Sequence, residues 1–258
     1  MKFLVIGDSC TDKFIYGKCE RICPEAPVPV FIPVKEKQNG GMAKNVQANI
    51  QALDADCDII TQDNEITKTR YVDIKTNAML LRVDAESKTE NKFDYKQVKW
   101  SLYDAVLISD YGKGFLESSA ARNICQYHDN VFWDSNKVKL KFDLPVNLKF
   151  LKINQYELEV NKHLKMTVNA SPTSAANKAY TRSDQIIVTY GYKGCKYMGK
   201  MYKPRNKIVA QDLSGAGDTF FAALAVSITK GDGVEEALTF ANDCASVVVS
   251  KRGVCTIL

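Results

Sequence analysis

Short apolar runs, each closing on a polar or glycine turn, recur along the chain: Phe3-Leu4-Val5-Ile6 into Gly7-Asp8, Ala105-Val106-Leu107-Ile108 into Ser109-Asp110, Val131-Phe132-Trp133 into Asp134, and Ile186-Ile187-Val188 into Thr189-Tyr190-Gly191. Runs without alternation are buried on both faces, which predicts strands of a parallel sheet. Phe150 to Ile153 reads the same way, and Cys57 to Thr61 can make a strand. Helical spacing follows elsewhere, with Val46, Ile50 and Leu53 behind Gly40-Gly41, a wholly apolar stretch Phe220 to Val226, and a final faced helix Val234 to Ser250 closed by Lys251-Arg252-Gly253. Gly40-Gly41 is read as a glycine turn entering the first of these helices. Strict alternation appears at Val28, Val30, Ile32 and Val34 against Pro29, Phe31, Pro33 and Lys35, and the prolines confine that strand to a sheet edge. Thr69 to Asp84 predicts a hairpin turning near Thr76-Asn77. The fold class is α/β, a mostly parallel central sheet with helices on both faces. The alternating segments form either a small separate sheet or an ordinary edge of the main one.

Composition narrows the class. At 258 residues, with 45% hydrophobic and 25% charged positions, the chain suits a single globular domain, 1–258. No run reaches transmembrane length and no secretory leader is read, so a cytoplasmic location is expected. The eight cysteines include no C-x-x-C pair and the histidines are only His128 and His163, so free buried thiols are expected rather than disulfides or a zinc site. The net charge of +5 suits an anionic small molecule or merely solvated lysines, and no basic stripe with interleaved aromatics points to nucleic acid.

The strongest chemical signal is Asp212-Leu213-Ser214-Gly215-Ala216-Gly217-Asp218-Thr219 ahead of the apolar helix. Small residues let consecutive N–H groups converge, Ser214 is read as the N-cap, and a helix N-terminus favours an anion. Asp218 is then either a carboxylate aimed at the anion or an ordinary first-turn acid stabilising its helix. A helix N-terminus lowers a carboxylate's pKa, so Asp218 reads as a weak base on its own. Strand ends of an open parallel sheet carry ligand sites. Asp8 and Asp12 are thus hydroxyl-binding candidates or turn formers, and Lys113, in the polar turn that follows Asp110 at the same edge, is a phosphate candidate or a lysine in solvent.

The loop G-A-G-D resembles the C-terminal signature of the ribokinase-like (PfkB) carbohydrate kinases. The stretch Gly7-Asp8…Asp12…Arg21-Ile22-Cys23-Pro24-Glu25-Ala26-Pro27-Val28-Pro29-Val30, with Asp110-Tyr111-Gly112-Lys113-Gly114, resembles the branch that phosphorylates heptose 7-phosphate. This resemblance covers nearly the whole chain and implies a ribokinase-like fold with a β lid from about 14–36 and 66–85. It implies ATP and Mg²⁺ as cofactors, Asp218 as catalytic base, and Gly215, Ala216 and Gly217 as the anion hole. Asp8, Asp12, Gly40, Gly41, Asn45, Asp110 and Lys113 would lie on the sugar side. Asn154, Thr189, Gly191, Gly194 and Asn242, with the turn Gly253 to Cys255, would lie on the nucleotide side. Glu157 would hold Mg²⁺ through water, and Asp212 would stand where the family has a K⁺ ligand. A homodimer through the lid is the implied partner.

Departures exist. Lys44 looks inserted, Ser135-Asn136-Lys137 replaces a proline turn after Asp134, and Gln62 to Glu65 leads almost at once to the hairpin where relatives have another βα unit. That shortening leaves the sugar side more open. No H-x-G-H loop of a fused nucleotidylyltransferase is present. The expected reaction is phosphoryl transfer from ATP to a sugar phosphate. Its rivals are another sugar or nucleoside kinase and a silent sugar- or nucleotide-binding relative.

Overall fold

The computed structural model describes residues 1–87, 89, 93–135, 144–161, 183–205, 212–251, 253 and 255–257. Expectations placed on Asn136, Lys137, His163, Arg252 and Val254 lie outside the described residues. The strands are β1 (Lys2–Gly7), β2 (Ser9–Ile22), β3 (Pro29–Met42), β4 (Asp56–Ile60), β5 (Ile66–Asp73), β6 (Met79–Glu86), β7 (Ala105–Asp110), β8 (Val131–Ser135), β9 (Leu148–Asn154), β10 (Ile186–Thr189), β11 (Cys195–Tyr197) and β12 (Lys200–Tyr202). The helices are α1 (Ala43–Ala52), α2 (Ala120–Ile124), α3 (Gln155–Val160), α4 (Ala216–Lys230) and α5 (Val234–Val249).

The apolar runs stack into one sheet in the order β12-β11-β10-β9-β8-β7-β1-β4, parallel from β4 to β10, with an antiparallel hairpin at the β12 edge. Alternate residues of each run serve opposite faces. Phe3, Val5, Leu107 and Phe132 join the core under α1, α4 and α5. Leu4, Ile6, Val106, Ile108 and Trp133 join the opposite core with α2 and Leu158 of α3. Fully burying one such side chain contributes about 1.5–3 kcal/mol, which is why these runs tolerate almost no polar residue. Lys152 is the exception. Of the eight cysteines, all free, Cys10, Cys57, Cys125, Cys195 and Cys244 are buried, as expected.

A second sheet, ordered β3-β2-β5-β6, departs from the first directly after Asp8. Its strand β3 lies at an edge, as the prolines require. Two local readings need correction. Gly40 and Gly41 belong to β3 rather than to a turn, and the reversal into α1 is made by Met42, whose φ is 57°. Gly41 is small for a packing reason, since a Cβ there would come within 2.0 Å of Asp12 Oδ2. The alternation from Val28 to Val34 is also broken. The pairing slips between Tyr16 and Gly17, so Lys35 and Pro33 have partners and Val34 has none. Such a bulge resets the face on which side chains emerge.

The hairpin turns where expected, with Asp73 Oδ2 accepting from Thr76 N at 2.7 Å and from Thr76 Oγ1 at 2.6 Å, and with Asn77 at φ 59°. Only Thr61 to Glu65 join β4 to β5. Gln62 pins this connection, accepting from Ser9 N at 2.9 Å through Oε1 and donating to Ser9 O at 2.7 Å through Nε2.

Candidate active site

Helix α4 begins at Gly215, whose left-handed φ of 82° makes the entry turn. The N-cap is Gly215 in place of the expected Ser214, and among the described residues no side chain caps this helix. Instead, Asp212 Oδ1 accepts from Ser214 N at 2.9 Å and Asp212 Oδ2 accepts from Gly253 N at 3.0 Å. The carboxylate expected to ligate a monovalent cation thereby ties the glycine loop to the turn after α5.

Asp218 lies in the first turn of α4 and is 5% exposed. Asn45 Nδ2 of α1 donates to its Oδ2 at 2.9 Å, and the Tyr111 hydroxyl donates to its Oδ1 at 2.6 Å. Burial pushes its pKa up to about 6, against the downward pull of these two bonds. The expectation of a lowered pKa is therefore overturned, because desolvation outweighs the helix terminus. A buried carboxylate with a pKa near 6 is still ionised at neutral pH and accepts a proton more readily than an exposed one.

Its holders are themselves held. Asn49 Nδ2 donates to Asn45 O at 2.8 Å and to Asn45 Oδ1 at 3.2 Å, while Thr219 Oγ1 donates to Asn49 Oδ1 at 3.1 Å. This ladder fixes α1 against α4. On the other side, Asp8 is 0% exposed, its Oδ2 accepting from Tyr111 N at 3.0 Å and Lys113 N at 3.1 Å, and its Oδ1 from Phe115 N at 3.3 Å. Asp110 Oδ1 accepts from Gly112 N at 3.1 Å. Asp8 and Asp110 thus shape the loop that presents Tyr111. Lys113, expected on a phosphate, is paired with Glu86 of β6 at 2.5 Å.

Asp12 is 4% exposed and forms an ion pair with Arg70 of β5 at 2.5 Å. Beneath the glycine loop, Lys152 Nζ donates to Asp134 Oδ2 at 2.7 Å, both side chains being buried. Burial works against the Lys152 ammonium, but Asp134, with Glu157 and Asp218 behind it, holds its pKa above the usual lysine value. A Cβ at Gly217 would lie 3.1 Å from Lys152 Nζ, so glycine there lets the loop rest closely on the ammonium, which a larger residue would push aside by a few tenths of an ångström. Asp134 Oδ1 has no hydrogen-bond partner among the described residues.

Asn154 and Glu157 form a reciprocal capping box at the start of α3, Asn154 Oδ1 accepting from Glu157 N at 2.9 Å and Glu157 Oε2 accepting from Asn154 N at 2.7 Å. Asn154 Nδ2 also donates to Glu157 Oε1 at 2.6 Å. Burial raises the Glu157 pKa against those bonds. Both residues are therefore engaged with each other.

On the far side of the loop lies a cavity of 470 Å³ lined by Thr189, Gly191, Gly194, Ala216, Gly217 and Asn242 together with Tyr192, Leu213, Phe220 and Ser246. Of the expected nucleotide-side residues, Thr189, Gly191, Gly194 and Asn242 line it, while Asn154, Gly253 and Cys255 do not. Asn242 Nδ2 donates to Tyr202 O at 3.0 Å, so that residue also anchors the β11–β12 hairpin to α5. Sequence reasoning did not single out Tyr111, Asn49, Thr219, Arg70 or Lys152. A polar Asn49 on the face that carries Val46 and Ile50, and a lysine inside the run Phe150 to Ile153, were the available signals.

A profile of the pfkB family of carbohydrate kinases matches residues 54–258. Among curated proteins, the bifunctional protein HldE of Helicobacter pylori strain J99 is 32% identical over 297 aligned positions, which cover 98% of this chain and 63% of that protein. HldE of Nitratiruptor is 31% identical, covering 99% of this chain and 63% of its own length. The chain thus spans less than two thirds of the length of these relatives. Ribokinase of Thermotoga maritima superposes with a TM-score of 0.66 at 16% identity, over 98% of this chain and 94% of that one. Arabidopsis thaliana ribokinase, solved with ribose and ATP, gives 0.63 at 16% identity over 99% and 94%. Those two likenesses establish the ribokinase-like fold, and with the profile match over most of its length the chain belongs to the pfkB family of carbohydrate kinases.

Proposed function

We propose that the chain transfers the γ-phosphate of ATP to a hydroxyl of a sugar phosphate, with the anomeric hydroxyl of D-glycero-D-manno-heptose 7-phosphate as acceptor. The observation that carries this reading is Asp218. It is a buried carboxylate with a raised pKa, clamped by Asn45 and Tyr111, one residue beyond a glycine loop that opens onto a 470 Å³ cavity. The likeness to the HldE proteins over nearly the whole chain supports the choice of acceptor. Nucleotide in the cavity would meet the N–H groups of Gly215, Ala216 and Gly217, with Lys152 adding positive charge behind them. Asp218 would align the acceptor hydroxyl and take its proton late in a loose transfer.

Among the described residues no three His, Cys, Asp or Glu side chains converge as direct metal ligands. The buried acids Asp134, with its unpartnered Oδ1, and Glu157 suit a hydrated Mg²⁺ held through water and phosphate oxygens. When bound, Mg²⁺ would supply charge neutralisation at the phosphate oxygens. The finer reading includes K⁺ near Asp212 and a homodimer joined through the β3–β2–β5–β6 sheet, which then acts as the lid.

The test is nucleotide consumption by the purified chain over heptose, hexose and pentose phosphates and their unphosphorylated forms, with Asp218→Asn as control. Turnover on a heptose 7-phosphate, reduced about 10²–10⁴-fold in the control, is expected. Wild-type-like turnover in Asp218→Asn protein would sink the assignment.

A further inference from the structure

We propose that Lys68, with Arg82 beside it, holds the acceptor's own anionic substituent and so selects phosphorylated over neutral sugars. The proposal rests on the reading of Asp218 as the group that meets the acceptor hydroxyl. Lys68 lies on β5, opposite Asp12 of β2 and Asp84 of β6, and Arg70 lies opposite Phe14 and Arg82. In a sheet these cross-strand partners share one face.

That face is turned toward the site. Phe14 lies against Gly253, where a Cβ would be 3.5 Å from its ring, and Asp12 packs on Gly41. Lys68 Nζ stands 5.5 Å from the centre of the Tyr111 ring, whose hydroxyl is bonded to Asp218.

The cations on this face are unequally committed. Arg70 is spent on the buried Asp12 and lies over the Phe14 ring at 5.0 Å. Arg82 gives Nε and Nη2 to Asp84, each at 2.7 Å, and keeps further N–H donors on an exposed side chain. Lys68 makes no ion pair among the described residues, and an ammonium 5.5 Å above an aromatic ring is only weakly tethered. Lys113 is committed to Glu86 and does not compete for the task.

Placing Arg70 directly opposite Arg82 is unfavourable in itself, since like charges across a sheet repel. With Lys37 and Lys35 opposite Phe14 and Tyr16 on the same face, the cations Lys68, Arg70 and Arg82 against Asp12 and Asp84 leave an excess of positive charge there. A phosphate monoester answers both conditions, supplying negative charge and oxygens for the ammonium and the free guanidinium N–H groups.

Calorimetric titration of the parent, Lys68→Met, Lys68→Arg and Arg82→Gln with heptose 7-phosphate and with the same heptose lacking phosphate tests this. The parent should bind the phosphorylated sugar more tightly. Lys68→Met should lose on the order of 10–100-fold for that sugar and remain within about two-fold for the neutral one. Arg should restore most of the loss, and Arg82→Gln should show a smaller loss of the same selectivity. Equal losses for both sugars, no loss in either variant, or a parent indifferent to the phosphate would each overturn the proposal. A parent that binds heptose 7-phosphate with this selectivity yet does not phosphorylate it would leave the Lys68 assignment standing and refute the kinase reading.

Discussion

Asp218 illustrates how burial and hydrogen bonding oppose each other at a single carboxyl group. Its pKa of about 6 lies above the ordinary aspartate value because desolvation outweighs the donors from Asn45 and Tyr111. As the proton acceptor it must be ionised, so kcat/KM should fall roughly ten-fold per pH unit below about pH 6 and level off above it. Removing the hydroxyl in Tyr111→Phe takes away a bond that favours the ionised form, so the inflection should move to higher pH. A pH–rate profile of the two proteins checks both statements, and an unmoved inflection in Tyr111→Phe would assign that hydroxyl a packing role only. The raised pKa has the matching effect on folding. Stability tied to Asp218 is fully present below its unfolded pKa near 3.8 and is lost as pH rises through about 6, so the site is ionised at neutral pH at some expense to the fold. The candidate base itself was legible, because small residues ahead of an apolar helix are a local pattern. Its partner Tyr111 is separated from it by 107 residues, and no local pattern reports such a contact.

At the scale of elements, strands and helices were readable wherever burial imposes a period, and the misreadings cluster where packing overrides it. Gly40 and Gly41 look like a turn because glycine is common there, yet the space beside Asp12 and Cys10 is what demands it. Val34 falls out of its alternation through a bulge that follows from pairing with Tyr16 and Gly17, residues of another strand. The α3 capping box was visible as Asn154-x-x-Glu157, but whether that glutamate serves the helix, a hydrated cation, or both depends on its burial. Glu157→Gln leaves one acceptor oxygen where there were two, so a hydrogen bond to Asn154 is lost at a cost of about 1 kcal/mol. Thermal melting should fall by a few degrees. Independently, the Mg²⁺ concentration for half-maximal rate should rise, since a neutral amide holds a hydrated cation less well. A magnesium titration that overlays the parent's, with the melting change present, would confine Glu157 to capping.

At the scale of the whole molecule, the second sheet is the feature that a single chain leaves unfinished. One face, carrying Asp12, Phe14, Lys68 and Arg70, is turned to the site. Apolar side chains remain open on both edge strands, with Ile32 49% and Val34 54% exposed on β3, and Met79 59%, Leu81 56% and Val83 44% exposed on β6. Phe31 and Tyr71 meet edge to face at 5.3 Å between ring centres, adding aromatic surface to the same sheet. Exposed apolar area gathered on a thin sheet marks an interaction surface, whereas scattered single residues would not. A second copy related by a twofold axis offers the same strands in return, which is the geometry of an isologous dimer. We therefore expect a homodimer joined through β3 and β6 at micromolar concentration. Ile32→Asp introduces a charge that the partner sheet would have to desolvate, so it should shift the protein toward monomer. Because the opposite face of that sheet carries Lys68 and Arg70, losing the partner should also loosen acceptor binding several-fold while nucleotide affinity stays near the parent's. Light scattering decides the first point and paired sugar and nucleotide titrations the second; a parent that runs as a monomer at micromolar concentration refutes the assignment.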